Sequence, residues 1–353
     1  MKYLSIKNVR IKGMSACVPG RVEENIDLPI FTSKLDAQKL IASTGIERRR
    51  CVDSGVTASD LTVQAVEKLL DDLSWEKESI DCFIYVCTSR DFIAPQTSCI
   101  LQDRLGLSQE CLVIDLPLGC SGWVYGMSVI SSLLSHGHLK RGLLVAAETN
   151  TRNRSMKDKT VRPLFGDAAT VTALEFDESS DKPFNFIFGV DGSGYQAVWT
   201  KYGGMRYPTT KEALEEKEIE KGIIRRGTDM IVNGMDVFAF AIKQPARSIK
   251  KLIETFDINL EQIDYLLLHQ ANKLIDEKIR KTLKVPEKKV PYCIENFGNV
   301  TSASIPLTMV TRMQSTMQEN DNHCIACGFG VGLAWASMEF NVDHIICSDI
   351  IYY

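Results

Sequence analysis

Two stretches decide how this chain folds: Glu67–Asp81, EKLLDDLSWEKESID, and Lys250–Asp264, KKLIETFDINLEQID. They lie at a constant offset of 183 residues, and each runs directly into an apolar segment, Cys82–Cys87 in one case and Tyr265–Leu268 in the other. Each reads as a helical repeat, a polar turn and an Ile-Asp pair that opens a strand. Two further pairs follow in the same order. IDLPLGC (Ile114–Cys120) faces IENFGN (Ile294–Asn299) with one residue of slippage, and GDAATVTALEF (Gly166–Phe176) faces GLAWASMEF (Gly332–Phe340). A single such pair arises by chance; three in order imply two α/β halves, residues 1–176 and 184–353, packed as a pseudo-dimer. Glu178–Pro183, ESSDKP, is the polar connector. Lys211–Lys221, KEALEEKEIEK, reads as a solvated helical excursion. The tail Asp343–Tyr353 has strand-forming residues but no repeat partner.

A length of 353 residues also exceeds what one core usually supports. The chain is 44% apolar and 24% charged, an ordinary globular balance that excludes disorder. Lys+Arg 41 against Asp+Glu 45 leaves a net charge of −4, which argues against a duplex nucleic-acid binder relying on bulk positive charge. The opening MKYLSIKNVRIKG lacks the apolar core of a signal peptide, so the eleven cysteines read as reduced thiols in the cytoplasm. Leu116–Leu139 carries no Asp, Glu, Lys or Arg over 24 residues, long enough to span a bilayer. Its proline, glycines, serines and two histidines lower its apolarity, and the expected place for it is the centre of a soluble fold, with no membrane partner.

The duplication puts Cys120 and Asn299 at equivalent points, each after a glycine and before an apolar helix. A helix N-terminus aims free N–H groups at the preceding side chain, a setting that favours a thiolate. Among five histidines, His136 and His138 suit an exposed helix end, and His323 and His344 lie among polar residues. His269 differs, because it ends the Tyr265–Leu268 strand, and the carboxyl ends of strands are where α/β folds build sites. Gly328–Gly332, GFGVG, reads as a loop after the Cys324–Cys327 strand, offering backbone N–H donors for an oxyanion. No GxxxxGK[ST] stretch is present, which removes support for nucleotide hydrolysis. Cys324 and Cys327 are three apart in a strand and point to opposite faces, so a metal site is rejected.

Cys, His and Asn in this order also occur in papain-like proteases, but the residues around Cys120 do not read CGSCW. The sequence instead resembles the thiolase superfamily, and most closely the β-ketoacyl-acyl carrier protein synthase III family. The resemblance rests on IKGMSACVPG near the start, TGIERRR (Thr44–Arg50), APQTSCILQDRLG (Ala94–Gly106) and IDLPLGCSGWVYGMSV (Ile114–Val129). It continues through FGDAA (Phe165–Ala169), HQAN (His269–Asn272), GNVTSASIP (Gly298–Pro306) and GFGVGLAW (Gly328–Trp335). It implies a thiolase-like, internally duplicated, five-layer αβαβα fold. It also implies a decarboxylating Claisen condensation with Cys120 as nucleophile and His269 and Asn299 as donors to the enolate. Thiolases carry a second Cys in that set and hydroxymethylglutaryl-CoA synthases a Glu. The resemblance further places an oxyanion hole on the N–H groups of Cys120 and Val331, and substrate contacts at Asn272 and Gly330.

Departures from the family concern the substrate. Lys39 stands where typical members stack a tryptophan on the coenzyme A adenine, while Lys159 keeps a basic residue at the phosphate-contact position. Ala94 replaces a phenylalanine that closes the primer pocket across a homodimer, which favours a primer longer than acetyl unless Phe92 refills the space. Lys243–Lys289 holds eleven Lys/Arg against seven Asp/Glu, and the resemblance implies acyl carrier protein docking there, on Lys273, Arg280 and Lys281. The substrates implied are coenzyme A or acyl carrier protein thioesters, with no metal or redox cofactor. The alternatives are a non-decarboxylating acyltransferase of the same fold and a non-catalytic partner subunit.

Overall fold

The computed structural model describes residues 2–353. In chain order, its main strands begin with β1 (Tyr3–Ile6), β2 (Val9–Val18), β3 (Cys82–Val86), β4 (Leu112–Leu116), β5 (Arg141–Thr149) and β6 (Asp167–Phe176). The series ends with β7 (Phe184–Val190), β8 (Tyr265–Leu268), β9 (Asp321–Gly330), β10 (Ala334–Asp343), β11 (Ile346–Cys347) and β12 (Ile351–Tyr352). One mixed sheet runs β11-β2-β6-β5-β3-β4, with β12 also on β2; the second runs β1-β7-β10-β9-β8.

Strand alternation sorts the apolar side chains into three layers of core. Along β3, Cys82, Ile84 and Val86 face inward between the two sheets, while Phe83 and Tyr85 face an outer helix, α1 (Ala58–Leu73). Along β9, Cys324 and Ala326 face the inner layer, and Ile325 and Cys327 the opposite outer layer. The two thiols do part to opposite faces as the strand period requires. Both sheets are covered on each side, so their strands are apolar on both faces. The inner layer is built on α2 (Gly122–Leu134) and on the Ser304–Arg312 helix; Gln244–Phe256 and Lys273–Leu283 cover the far sheet. The order is helix, sheet, helix, sheet, helix. The uncharged Leu116–Leu139 stretch supplies the central α2, and no described helix is long and apolar enough to cross a membrane.

The repeat has an atomic cause at its Ile-Asp pairs. Asp81 Oδ2 accepts the backbone N–H groups of Lys140 and Arg141 at the start of β5, at 2.6 and 3.1 Å. Asp264 Oδ2 accepts that of His323 on β9 at 2.8 Å. Each carboxylate thus ties its strand to the parallel neighbour, β3 to β5 and β8 to β9. The Gly166–Phe176 and Gly332–Phe340 stretches supply the antiparallel partners β6 and β10.

Three expectations need correction. Ile114–Leu116 ends a strand, but Ile294–Phe297 is a short helix, so that pair matches only from the residue before Cys120 and Asn299 onward. Lys211–Leu214 is a helical turn capped by Thr210, after which Lys217–Glu220 leaves as an exposed strand paired with Ile223–Arg225. Its Lys-Glu-Ile-Glu alternation is a strand pattern that charge density concealed. Gly328–Gly330 is not loop but the end of β9, paired with β10 through Gly330–Ala334. The halves also exchange ends: β1 joins the second sheet through β7, and the tail strands β11 and β12 lie parallel to β2 in the first.

Candidate active site

Cys120 sits between β4 and α2, in a turn closed by Gly122 N–H donating to the Gly119 carbonyl at 2.7 Å. A side chain at Gly122 would meet Val86 Cγ1 at 2.4 Å, so glycine lets the start of α2 press onto β3. A Cβ on Gly330 would lie 2.6 Å from Cys120 Sγ, so the last residue of β9 leaves the sulfur clear. Among the described residues, nine cysteines are buried, Cys99 is exposed, and Cys120 opens on a cavity. Burial pushes its thiol up to about 11, while the N–H groups of Val331 and of Cys120 itself pull it down. Those two donors are the pair expected of an oxyanion hole.

His269 follows β8 and is buried, with Nδ1 2.7 Å from Ser304 Oγ and its ring edge-on to Phe329. Burial pushes the imidazole down to about 3, so it is neutral over the physiological range. Asn299 is held by the other half of the molecule: its N–H donates to the Leu164 carbonyl at 2.8 Å, and its carbonyl accepts from Gly166 at 3.2 Å. A Cβ on Gly166 would lie 2.1 Å from the Phe297 carbonyl oxygen, which explains the glycine of the FGD stretch. Thr301 N–H donates to Asn299 Oδ1 at 2.8 Å, which leaves the amide Nδ2 as the donor available to the cavity.

One cavity of about 330 Å³ gathers Cys120, His269, Asn299, Asn272, Gly330 and Val331. Asn272 also caps the Lys273–Leu283 helix through the Leu274 N–H at 2.8 Å. Other expected residues lie elsewhere. Phe92 (59% exposed) and Ala94 are on an outward loop and do not line the cavity of their own chain. Lys159 Nζ donates to the Lys221 carbonyl at 2.8 Å and does not line it either. Arg280 is committed to Glu277, with Nη2 at 2.6 Å and Nε at 2.8 Å from its oxygens, so it is not a free docking cation. Lys281 remains 68% exposed, and Lys273 Nζ lies over the Tyr292 ring. Sequence reasoning missed Asn150, Arg154, Thr301 and Ser304. The last two fall within the GNVTSASIP stretch and carry a signal, whereas nothing local marks Asn150 or Arg154 as cavity-facing.

A duplicated five-layer fold with a nucleophilic-type cysteine facing a neutral histidine and an asparagine defines a thiolase-like condensing enzyme, an acyltransferase. Residues 114–192 match the family model for 3-oxoacyl-[acyl-carrier-protein] synthase III, and residues 253–342 match that for its C-terminal part. The beta-ketoacyl-[acyl-carrier-protein] synthase III of Natranaerobius thermophilus is 30% identical over 335 residues, covering 94% of this chain and 98% of the relative. That of Caldanaerobacter subterraneus subsp. tengcongensis is 29% identical over 327 residues, covering 93% and 96%. The crystal structure of a 3-oxoacyl-(acyl-carrier protein) synthase from Burkholderia xenovorans LB400 superposes with a TM-score of 0.93 at 30% identity, covering 100% and 99% of the two chains. The chain belongs to the 3-oxoacyl-[acyl-carrier-protein] synthase III family.

Proposed function

We propose that this chain condenses an acyl thioester with a malonyl thioester by a decarboxylative Claisen reaction, on acyl carrier protein and coenzyme A substrates. The observation that carries the reading is the one cavity that gathers Cys120, His269, Asn299 and Val331. In the first stage, Sγ attacks the acyl carbonyl, the carbon–sulfur bond to the donor breaks, and the donor thiol leaves with the proton. In the second, the malonyl carbon–carboxylate bond breaks, carbon dioxide leaves, and its electron pair moves into an enolate. His269 Nε2–H and Asn299 Nδ2–H donate to that enolate oxygen. This requires the Ser304 hydroxyl, 2.7 Å from Nδ1, to turn its proton from the Thr301 carbonyl, 2.9 Å away, onto Nδ1. The enolate carbon then attacks the acyl-Cys carbonyl, the oxyanion rests on the N–H groups of Cys120 and Val331, and Sγ is released from a 3-oxoacyl thioester.

The working unit we infer is a homodimer. β4 is a sheet edge, half-buried along its length and apolar at every position but Asp115. Beside the inner helix, Leu4, Tyr125, Val129, Leu133 and Phe188 line an open apolar groove. Carrier docking falls to Lys273 and Lys281 rather than Arg280, and eleven unpaired thiols suit the cytoplasm. The test is intact-protein mass after incubation with acyl-CoA and acyl-carrier donors. An adduct on the wild type and none on Cys120→Ala supports the reading; no adduct from any thioester overturns it. Release of labelled carbon dioxide from a malonyl thioester separates condensation from non-decarboxylating acyl transfer.

A further inference from the structure

The cavity is not apolar at its inner end. Of its lining, Thr200, Gly234 and Phe238 are exposed and mark its mouth, while Asn150, Arg154 and Phe165 are buried. A donor thioester that reaches Cys120 through the mouth directs its acyl group toward that inner end.

Arg154 is 5% exposed, and its guanidinium lies 3.8 Å over the Phe165 ring. Nη1 donates to Asn153 Oδ1 at 2.6 Å and Nη2 to Asn150 Oδ1 at 3.0 Å, while Nε has no partner. Among the described residues, no carboxylate lies within ion-pair distance of it. The two carboxylates whose charge reaches it are occupied elsewhere. Glu148 accepts from the backbone and hydroxyls of Thr88 and Ser89, and Asp167 from Val52 and Thr151. A buried guanidinium with spare N–H groups is unfavourable unless an acceptor reaches it. Asn150 is oriented by the same contacts: its Oδ1 takes the Arg154 bond, and its Nδ2 donates to Thr301 Oγ1 at 3.0 Å, leaving a second amide N–H. The buried lining of an acyl cavity thus holds donors for an oxygen on the acyl chain, the second N–H groups of Arg154 Nη1 and Nη2 and of Asn150 Nδ2.

We propose that Arg154 and Asn150 select acyl groups bearing a hydrogen-bond-accepting oxygen at the far end, a carboxylate foremost. The favoured primer is then a carboxyacyl or oxoacyl thioester rather than a plain alkyl one. This rests on the reading of Cys120 as the acyl carrier. The malonyl carboxylate is a poor occupant, because a cation beside it would hold the charge that decarboxylation must move onto the enolate.

Succinyl-, acetoacetyl- and butyryl-CoA share a four-carbon chain and differ in its oxygens. Their loading onto Cys120 is followed by time-resolved intact mass. The expected result is that succinyl- or acetoacetyl-CoA loads at least about tenfold faster than butyryl-CoA, and that Arg154→Met abolishes the difference while still loading butyryl. Succinyl ahead of acetoacetyl assigns the site to a carboxylate; the reverse assigns it to a neutral carbonyl. Should Arg154→Met fail to fold, the same rate ratio is read in Arg154→Lys and Asn150→Leu, which must shift it. Butyryl loading as fast as the other two, or a ratio unchanged in the variants, overturns the proposal and leaves Cys120 as nucleophile. An absence of adduct from all three and from acetyl-CoA overturns the acyl-enzyme reading itself.

Discussion

Burial raises the Cys120 thiol, and that sets its pH dependence. With the thiol pushed up to about 11, the reactive thiolate at pH 7 is a minor species of about one part in ten thousand. Acylation by a fixed thioester is therefore expected to quicken about tenfold per pH unit between roughly pH 7 and 9. Adduct formation followed by mass gives the slope, and a flat profile there would contradict the raised thiol. His269, already neutral, adds no inflection between pH 5 and 7. Gly330→Ala would put a methyl 2.6 Å from both Cβ and Sγ of Cys120, and acylation should fall by about a hundredfold. At this scale, the residues that the cavity gathers were legible in the sequence, because a glycine turn before a helix and a histidine after a strand are local signals. Phe92 and Ala94 were legible only through resemblance, and they lie on an outward loop away from the cavity of their own chain. The Glu277–Arg280 spacing of three on a helix announced an ion pair, which a count of surface charge passed over.

Along single elements, the Lys273–Leu283 helix carries an anomaly. Asp276 is fully buried, and neither carboxyl oxygen has a partner among the described residues. Burial, with Glu277 adjacent, pushes its carboxyl well above the usual range. Below about pH 4, both folded and unfolded chains hold the proton and no pH-linked penalty exists. As pH rises, only the unfolded state ionises freely, so stability is lost progressively up to the raised folded value. Asp276→Leu is expected to stabilise the chain by about 1–3 kcal/mol at pH 7 and to flatten its stability between pH 4 and 7. Urea melts at two pH values decide this: a destabilised variant, or an unchanged pH dependence, would refute it. Helix and strand existence was legible wherever periodicity ran long, as in Ala58–Leu73. It failed at Lys217–Glu220, where a strand of four residues is too short for its alternation to stand out from charge.

For the whole molecule, the duplication was legible because both halves repeat one tethering device, the Ile-Asp pair, but the exchange of ends was not. Nothing local in the Asp343–Tyr353 sequence says which sheet it joins. The proposed homodimer makes a separate prediction: Phe92→Asp combined with Ile93→Asp, at positions 59% and 74% exposed, should leave the fold intact. It should also shift the mass in light scattering toward a monomer, and an unchanged mass would remove that loop from the interface. The exchanged ends bear on synthesis. β2 is made early, yet one of its flanks stays open until residues 346–352 have left the ribosome, when Gly20 N–H can at last find the Tyr353 carbonyl at 3.0 Å. A nascent chain stalled before that point carries an unsealed strand, a natural target for chaperones or for a neighbouring nascent chain.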